Sequence, residues 1–192
     1  MILKPDTIQR SLIGEIVNRL ERTGLKLVGL KMIQADEKRL TDHYGKADDW
    51  YLEKGTKRVR LMQEAGKAVD PNRPPIEYGK DIIRGVIRYM KASPLVAMVW
   101  EGNQAALVIK KITGDTEPAT SDVGTIRGDL TTDSYQISAV DDRAVRNLIH
   151  CSESAEEGKR EIALWFSEAE LTEYRLVGEQ ILYDVNLDGI LE

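Results

Sequence analysis

The stretch Leu95-Val96-Ala97-Met98-Val99-Trp100 is a continuous apolar run, and it decides the fold. Such a run is typical of a strand that is covered on both faces, and it is far shorter than the roughly 20 residues that cross a bilayer. Residues 25–32 predict a second strand, buried well on one side and partly on the other. Shorter strands are expected at residues 2–3 and 146–150, so the chain is predicted to form a sheet.

Segments with helical spacing separate the strands. Apolar residues recur with the period of a helix over 11–24, 36–44, 82–90, 105–112 and 154–166. Ser11 and Asp36 are suited to cap helix starts, and Gly24 and Gly114 to end helices with φ > 0. The order β-α-β-(α-α)-β-α-β predicts an α/β (α+β) fold, namely a ferredoxin-like βαββαβ sandwich with an antiparallel sheet and helices on one face.

Three segments depart from this pattern. Residues 45–80 have weak periodicity and three prolines, which favours a partly helical insertion closed by a proline-stiffened loop. Residues 115–129, rich in Gly, Pro, Thr and Ser, are expected to be a loop. Residues 167–192 are predicted to form a C-terminal extension. Within it, Asp184–Gly189 is similar to the first half of an EF-hand loop, and we interpret it as a polar turn. We expect one domain over 1–192, and its brief first strand suggests a translation start upstream of Met1.

Composition excludes several classes of function. The 192 residues include 27 Lys+Arg and 32 Asp+Glu, a net charge of −5, with 42% hydrophobic residues. These values are typical of a globular protein. The excess of acidic over basic residues argues against binding to nucleic acids or to membrane surfaces, since both need a basic face. A single cysteine, Cys151, excludes an internal disulfide, and two histidines exclude a His-rich metal cluster. With neither a signal peptide nor a membrane span in the sequence, we expect a cytoplasmic protein.

Two segments contain candidate reactive residues. In residues 147–154 a histidine, His150, ends an apolar strand, and hydroxyl and acidic residues follow it. Neutral imidazole is a competent nucleophile because its unperturbed pKa is about 6.5. In residues 124–128 glycines bracket Arg127, a weak sign of phosphate binding. Taken alone, the histidine is more often structural and the arginine more often part of a solvated turn. P-loop and Rossmann signatures are both missing from the sequence.

Several separated motifs resemble one family, the nucleoside diphosphate kinases. They are Lys4–Arg10 with Gly14–Ile16, Leu27–Met32, His43-Tyr44, Pro94–Gly102, Gly124–Asp129, and Asn147-x-x-His150-x-Ser152-Glu153-Ser154 followed by Glu161–Phe166. The resemblance omits about 45–80, a shorter stretch after Asp129, and the last twenty or so residues. The motifs occur in the same order as in the family, which leaves little room for a chance resemblance.

The resemblance implies a ping-pong kinase in which His150 carries the γ-phosphoryl of ATP, or of another nucleoside triphosphate, to a nucleoside diphosphate. Glu161 holds the far imidazole nitrogen, and Tyr44 lies beside the ring. Mg²⁺ bridges the nucleotide phosphates and needs few protein ligands. The family further implies a homo-oligomer, a tetramer or hexamer. The remaining residues that the resemblance assigns to the nucleotide are Lys4, Ile83, Lys110, Thr116, Arg127 and Asn147.

This sequence departs from the family pattern at several of its motif positions. Lys110 stands where arginine is common, and Ile83 where a phenylalanine stacks on the base. Other departures are Thr7 and Cys151 for glycine and Glu153 for aspartate. An aromatic side chain of the insertion, Trp50, Tyr51 or Tyr78, could replace the missing ring, or these aromatics could anchor the insertion to the core. A non-catalytic nucleotide-binding or regulatory protein on the same scaffold is the alternative function.

Overall fold

A four-stranded antiparallel sheet forms the centre of the fold. The computed structural model describes residues 1–183. The strands are β1 (Ile2–Leu3), β2 (Lys26–Ile33), β3 (Leu95–Glu101) and β4 (Ile149–His150), and they lie in the order β2-β3-β1-β4. Every neighbouring pair is antiparallel. The predicted α+β fold with an antiparallel ferredoxin-like sheet is confirmed.

Ten α-helices connect and cover these strands within the described residues. They are α1 (Pro5–Gln9), α2 (Ile13–Glu21), α3 (Glu37–Tyr44), α4 (Asp48–Glu64), α5 (Pro75–Met90), α6 (Ala105–Thr113), α7 (Ile126–Leu130), α8 (Tyr135–Val140), α9 (Ala155–Trp165) and α10 (Glu179–Tyr183). The predicted caps are confirmed for α3, where Asp36 accepts from the Arg39 amide, and for α6, which ends at Gly114 with φ 85°.

Helices pack on both faces of the sheet, so the prediction of helices on one face was wrong. Side chains alternate along β3: Ala97 and Val99 belong to a core cluster with α3, α5 and α9. Met98 and Trp100 belong to a second cluster with α2 and α6. The apolar run of β3 already requires this, because successive residues of a strand point to opposite faces.

The insertion is more helical than the sequence suggests. Most of residues 45–80 lie in α4 and in the first turns of α5, and the two helices pack closely together. Gly55 and Gly79 allow this approach. A Cβ at Gly55 would lie 1.8 Å from the Pro75 carbonyl oxygen, and one at Gly79 would lie 1.9 Å from that of Tyr51. Gly55 interrupts the apolar period of α4, which is why the sequence of this helix looks irregular.

The segment that follows α6 is not simply a loop, as the sequence analysis expected. A 3-10 turn spans Pro118–Thr120, and α7 begins within the same segment. Thr125 caps α7 by accepting from the Gly128 amide at 3.0 Å. The unpredicted α8 is capped in the same way by Ser134, which accepts from the Ile137 amide at 3.2 Å. Helices of five and six residues are too short to show an apolar period.

A short helix near the start of the chain was not predicted from the sequence. The helix α1 starts at Pro5, directly after β1, with proline in the first turn, where its missing N–H costs nothing. The EF-hand-like stretch 184–189 lies outside the described residues. Within residues 1–183, none of the helices combines the length and the apolar character needed to span a bilayer.

Candidate active site

The candidate nucleophile His150 lies at the end of the edge strand β4, where the chain turns towards α9. Glu161, on the buried side of α9, places both carboxylate oxygens 3.0 Å from Nε2 of His150. The Ser152 hydroxyl donates to the same carboxylate at 2.7 Å. Because the carboxylate accepts these bonds, the imidazole proton resides on Nε2, and Nδ1 keeps a free lone pair.

The electrostatic environment keeps this imidazole neutral. Burial lowers the pKa of His150 well below its usual value, and the nearby positive charges of the Met1 amino group, Lys4 and Arg127 act in the same direction. The side chain is still 18% exposed, so Nδ1 is not sealed in the core. A neutral, partly accessible imidazole with one nitrogen fixed by a carboxylate can act as a nucleophile at neutral pH.

Two aromatic neighbours from α3 enclose the histidine. The ring centroid of His43 lies 4.3 Å from that of His150, and the Tyr44 centroid lies 5.6 Å away. The Trp165 indole N–H donates to Nδ1 of His43 at 3.1 Å, so the proton of His43 is on Nε2. Among the described residues, neither Nε2 of His43 nor the hydroxyl of Tyr44 has a hydrogen-bond partner. Burial lowers the pKa of His43 to about 3 and raises that of Tyr44.

Lys4, Asn147 and Thr116 meet beside the histidine, although they lie far apart in the sequence. Nζ of Lys4 donates to Oδ1 of Asn147 at 2.7 Å, and Nδ2 of Asn147 donates to the main-chain oxygen of Thr116 at 2.7 Å. Lys4 is 8% exposed and Asn147 1%. Burial, with the charge of Arg127, lowers the pKa of Lys4 to about 7. The lysine is therefore partly uncharged at neutral pH until an anion binds beside it.

The guanidinium of Arg127 is buried and bonded to three main-chain carbonyls. Nε donates to Asn147 at 3.1 Å, Nη1 to Gly114 at 2.9 Å and Nη2 to Ile149 at 2.7 Å. The arginine thereby joins the loop after α6 to the strand that carries His150. Burial lowers its pKa, but an arginine remains charged at physiological pH. Arg127 combines a local positive charge with a structural role that its motif did not reveal.

Lys110 and Ile83 lie at different depths in the structure. Lys110, on α6, is half-exposed and forms an ion pair with Glu153, which raises its pKa. Ile83 is only 8% exposed and packs in the first core cluster. It offers little surface to a base.

The aromatics of the insertion occupy structural positions. Tyr78 is buried in a third cluster with Met62 and Ala139, and its hydroxyl accepts from the Asp70 amide at 3.2 Å. Trp50 and Tyr51 are partly buried against the first cluster. These positions favour the anchoring role over replacement of the stacking ring.

The described residues do not offer Mg²⁺ a site of its own. The group that could hold a cation there is His43, His150 and Glu161, whose ligand atoms lie within 4.8 Å of one another. Mg²⁺ prefers oxygen ligands, and this group has two imidazoles, one of them engaged by Trp165. The residues fit an anionic phosphate better than a bare divalent cation.

A cavity of about 680 Å³ lies beyond Glu161, between β3, α6 and the start of α9. Lys110, Cys151 and Glu161 are on its wall, whereas His150, Arg127 and Asn147 are not. The cavity therefore adjoins the site at Lys110 and Glu161, and it is not lined by Lys4 or Arg127. Cys151 is buried, which fits a small packed thiol.

The fold and the site place the chain among ferredoxin-like α+β proteins with a carboxylate-held histidine at the end of an edge strand. The profile of the family described as "Nucleoside diphosphate kinase" matches residues 1–59 and 76–171. The chain belongs to the nucleoside diphosphate kinase family, and it is a phosphotransferase.

Individual relatives agree with this assignment. The chain is 40% identical to the nucleoside diphosphate kinase of Pyrobaculum aerophilum over 90% of its own length and 96% of the relative. The solved NDP kinase structure of that organism has a TM-score of 0.83 and covers the same shares of the two chains. A Borrelia burgdorferi nucleoside-diphosphate kinase, titled as a transition state mimic with bound vanadate and ADP, is 30% identical at a TM-score of 0.75, over 94% of this chain and 92% of its own. These comparisons support the kinase over the non-catalytic alternative.

Sequence reasoning overlooked two groups at this site. His43 and Ser152 both lie inside motifs that resemble the family, but neither was assigned a role. Their contacts with His150 and Glu161 depend on how α3 and α9 pack. The only available signal was their position inside motifs that resemble the family.

Proposed function

We propose that the chain performs its nucleoside diphosphate kinase reaction through a phosphohistidine at His150. The observation that carries this proposal is the pair of 3.0 Å contacts between Nε2 of His150 and Glu161, which leaves Nδ1 as the nucleophile. Nδ1 attacks the γ-phosphorus of a nucleoside triphosphate. The N–P bond forms as the bond to the bridging oxygen breaks, and that oxygen takes the electron pair into the departing diphosphate.

The second half-reaction reverses the first with another nucleotide. A terminal phosphate oxygen of a nucleoside diphosphate attacks the same phosphorus, and the electron pair of the N–P bond returns to Nδ1. The proton stays on Nε2 throughout, because the Glu161 carboxylate accepts its hydrogen bond. The carboxylate also stabilises the positive charge that develops on the ring. We assign Tyr44 to donate a hydrogen bond to the transferred group, because its ring lies 5.6 Å from that of His150 and its hydroxyl has no hydrogen-bond partner among the described residues.

Cationic and amide groups position the polyphosphate. Lys4, Lys110 and Arg127 supply positive charge, and Asn147 and Thr116 supply hydrogen bonds. Phosphoryl transfer depends mainly on positioning and charge neutralisation, which these groups provide. The groups assigned here address the phosphates and the sugar and leave the base edge unread, and Ile83 offers only a small apolar surface. We therefore expect weak discrimination among bases.

Several further properties belong to this proposal. Mg²⁺ enters with the nucleotide phosphates, since the described residues fit phosphate rather than the bare cation. We take residues 1–192 as one kinase domain, with an atypical insertion at about 45–80 and an extension at about 167–192. The exposed apolar side chains of Leu30 and Met32 on the edge strand β2 support a homo-oligomer. A cytoplasmic location stays a prediction from the sequence.

A labelling and chase experiment tests the proposal. The protein is incubated with γ-labelled ATP and Mg²⁺ and then chased with unlabelled GDP. We expect an acid-labile, alkali-stable phosphoenzyme that GDP discharges, with label appearing in GTP. The His150→Ala variant should not be labelled. Nucleotide binding without any labelling of the wild-type protein would instead favour the non-catalytic alternative.

A further inference from the structure

The chain forms a strained turn directly before the candidate nucleophile. The Ile149 amide donates to the Asn147 carbonyl at 2.7 Å, which closes a three-residue γ-turn around Leu148. The φ angle of Leu148 is 66°, in the left-handed region that glycine adopts and a leucine avoids. A γ-turn with positive φ at its centre is rare and strained. Asn147 opens this turn and His150 follows it, so the turn joins two residues that we assign to the reaction.

The start of α1 holds the centre of the turn. Strained backbone persists only where the surrounding structure fixes it. The Leu148 amide donates to Oδ2 of Asp6 at 3.0 Å. The Leu148 carbonyl accepts from the Lys4 amide at 2.8 Å and from the Thr7 hydroxyl at 2.6 Å. Three consecutive contacts from one short segment therefore fix both polar backbone groups of the strained residue.

Arg127 holds the two ends of the same turn. Its Nε donates to the Asn147 carbonyl at 3.1 Å, and its Nη2 donates to the Ile149 carbonyl at 2.7 Å. All three carbonyls of the turn are thus bonded to groups from other parts of the chain. The turn is also packed, because Leu148 and Asn147 are 0% and 1% exposed.

The hydroxyl of Thr7 is the contact that this chain adds to the family pattern. Glycine is usual at this position in the family, and a glycine has no side chain with which to bond the Leu148 carbonyl. Thr7 is 0% exposed, so solvent does not compete for the bond. The departure at Thr7 therefore has a specific target, which lies two residues before His150.

We propose that Thr7 is a positioning residue for the phosphoryl transfer. Its hydroxyl holds the left-handed turn at Leu148, and the turn sets the position of the Asn147 amide relative to the His150 imidazole. Strand β4 consists of Ile149 and His150 alone, so its short ladder leaves much of this placement to the turn. Transfer depends on such placement. The inference rests on the proposed function, because Asn147 and His150 are assigned to the reaction there.

Removing only the hydroxyl tests this role. Thr7→Val keeps the shape of the side chain, and the Leu148 carbonyl keeps its bond from the Lys4 amide. We expect kcat to fall about 2–12-fold, the value of one hydrogen bond, with KM for ATP nearly unchanged. Thr7→Ser keeps the hydroxyl and should restore the wild-type kcat.

Thr23→Val is the matched control. The Thr23 hydroxyl also donates to a main-chain carbonyl, that of Leu20, at 2.6 Å, just after the end of α2. This variant should leave kcat unchanged when all proteins are assayed below their melting temperatures. A Thr7→Val kcat equal to that of the wild type, or a loss that Thr7→Ser does not restore, would overturn the positioning role.

Amide hydrogen exchange tests the turn without turnover. The amides of Leu148 and Ile149 are both bonded in the turn, and in Thr7→Val they should exchange faster by a larger factor than the amides of β3. Equal acceleration of both sets would show that the hydroxyl contributes only to global stability, against the proposal. If Thr7→Val does not fold, Thr7→Ala, which favours the helix α1, serves in both measurements with the same expectations.

The two proposals fail in different ways. If the wild-type protein forms no phosphoenzyme, the proposed function is wrong, and the role of Thr7 in it falls as well. If the wild type transfers phosphoryl normally and Thr7→Val has the same kcat, only the role of Thr7 is wrong.

Discussion

Both carboxylate oxygens of Glu161 lie 3.0 Å from Nε2 of His150, and the Ser152 hydroxyl donates to the same carboxylate. This contact fixes which nitrogen bears the proton and which is free to attack. The nucleophile comes from β4, the supporting hydroxyl from the following turn and the orienting acid from α9. Their geometry therefore depends on the packing of α9 against the sheet.

Replacing Glu161 by Gln should lower kcat roughly 10–100-fold, because a hydrogen bond to a charged group contributes about 1.5–3 kcal/mol. The amide can still accept from Nε2, but it does not offset the developing charge. Steady-state transfer from ATP to a nucleoside diphosphate measures the effect. The control Glu156→Gln alters an exposed carboxylate of the same helix and should leave kcat unchanged. Full activity of Glu161→Gln would exclude the orienting role.

Nucleotide affinity should weaken as the pH rises above about 7. The pKa of Lys4 is lowered to about 7 in the free protein, so above this pH the lysine must gain a proton to pair with phosphate. The Kd for ADP should rise by up to about tenfold per pH unit, with proton uptake on binding. Titration calorimetry in buffers of different ionisation enthalpy measures both quantities.

The Lys4→Met variant provides the control for this pH effect. It should bind ADP more weakly at pH 7 and lose the dependence on pH above 7. A wild-type Kd that stays flat between pH 7 and 9, or proton release on binding, would show that Lys4 is not the group concerned.

Arg127→Met should destabilise the fold as well as impair activity. It leaves the carbonyls of Gly114, Asn147 and Ile149 without their donor, and a single unsatisfied buried group costs about 1–3 kcal/mol. We expect a loss of about 3 kcal/mol or more in urea unfolding. Arg88→Met, on the exposed side of α5, should change stability by less than about 0.5 kcal/mol. Equal stabilities for the two variants would contradict the structural role of Arg127.

Stability should fall as the pH drops below about 6.5. The pKa of His43 is lowered to about 3 by burial, so between these values the unfolded chain binds a proton that the folded chain does not. Each such histidine lowers the free energy of unfolding by about 1.4 kcal/mol per pH unit. In acid, the free energy of unfolding of His43→Gln should change less steeply with pH than that of the wild type, by the equivalent of about one bound proton. An unchanged slope would mean that His43 is charged in the fold.

The sequence was sufficient for the sheet and the longer helices, because their apolar periods are strong. Leu95–Trp100 predicts a strand buried on both faces, and this strand is central in the sheet. The short helices α7 and α8 were missed because hydrogen-bonding caps at Thr125 and Ser134, rather than an apolar stripe, define them. The extent of α4 was missed because Gly55, at the contact with α5, interrupts its apolar stripe.

Most candidate site residues came from motif resemblance and could not be derived from spacing. Lys4 and Asn147 are separated by 143 positions, and only the antiparallel register of β1 with β4 brings them together. The carbonyl contacts of Arg127 depend on the path of the loop after Gly114, which no local pattern encodes.

The central claim is that Nδ1 of His150 carries the phosphoryl group, and the phosphorylated nitrogen can be identified directly. The phosphoenzyme is formed with ATP, unfolded in alkali, where phosphohistidine survives, and examined by ³¹P and ¹⁵N NMR. We predict a single phosphohistidine at residue 150, with phosphorus bonded to Nδ1. Phosphorus on Nε2, or on any residue other than His150, would contradict the account.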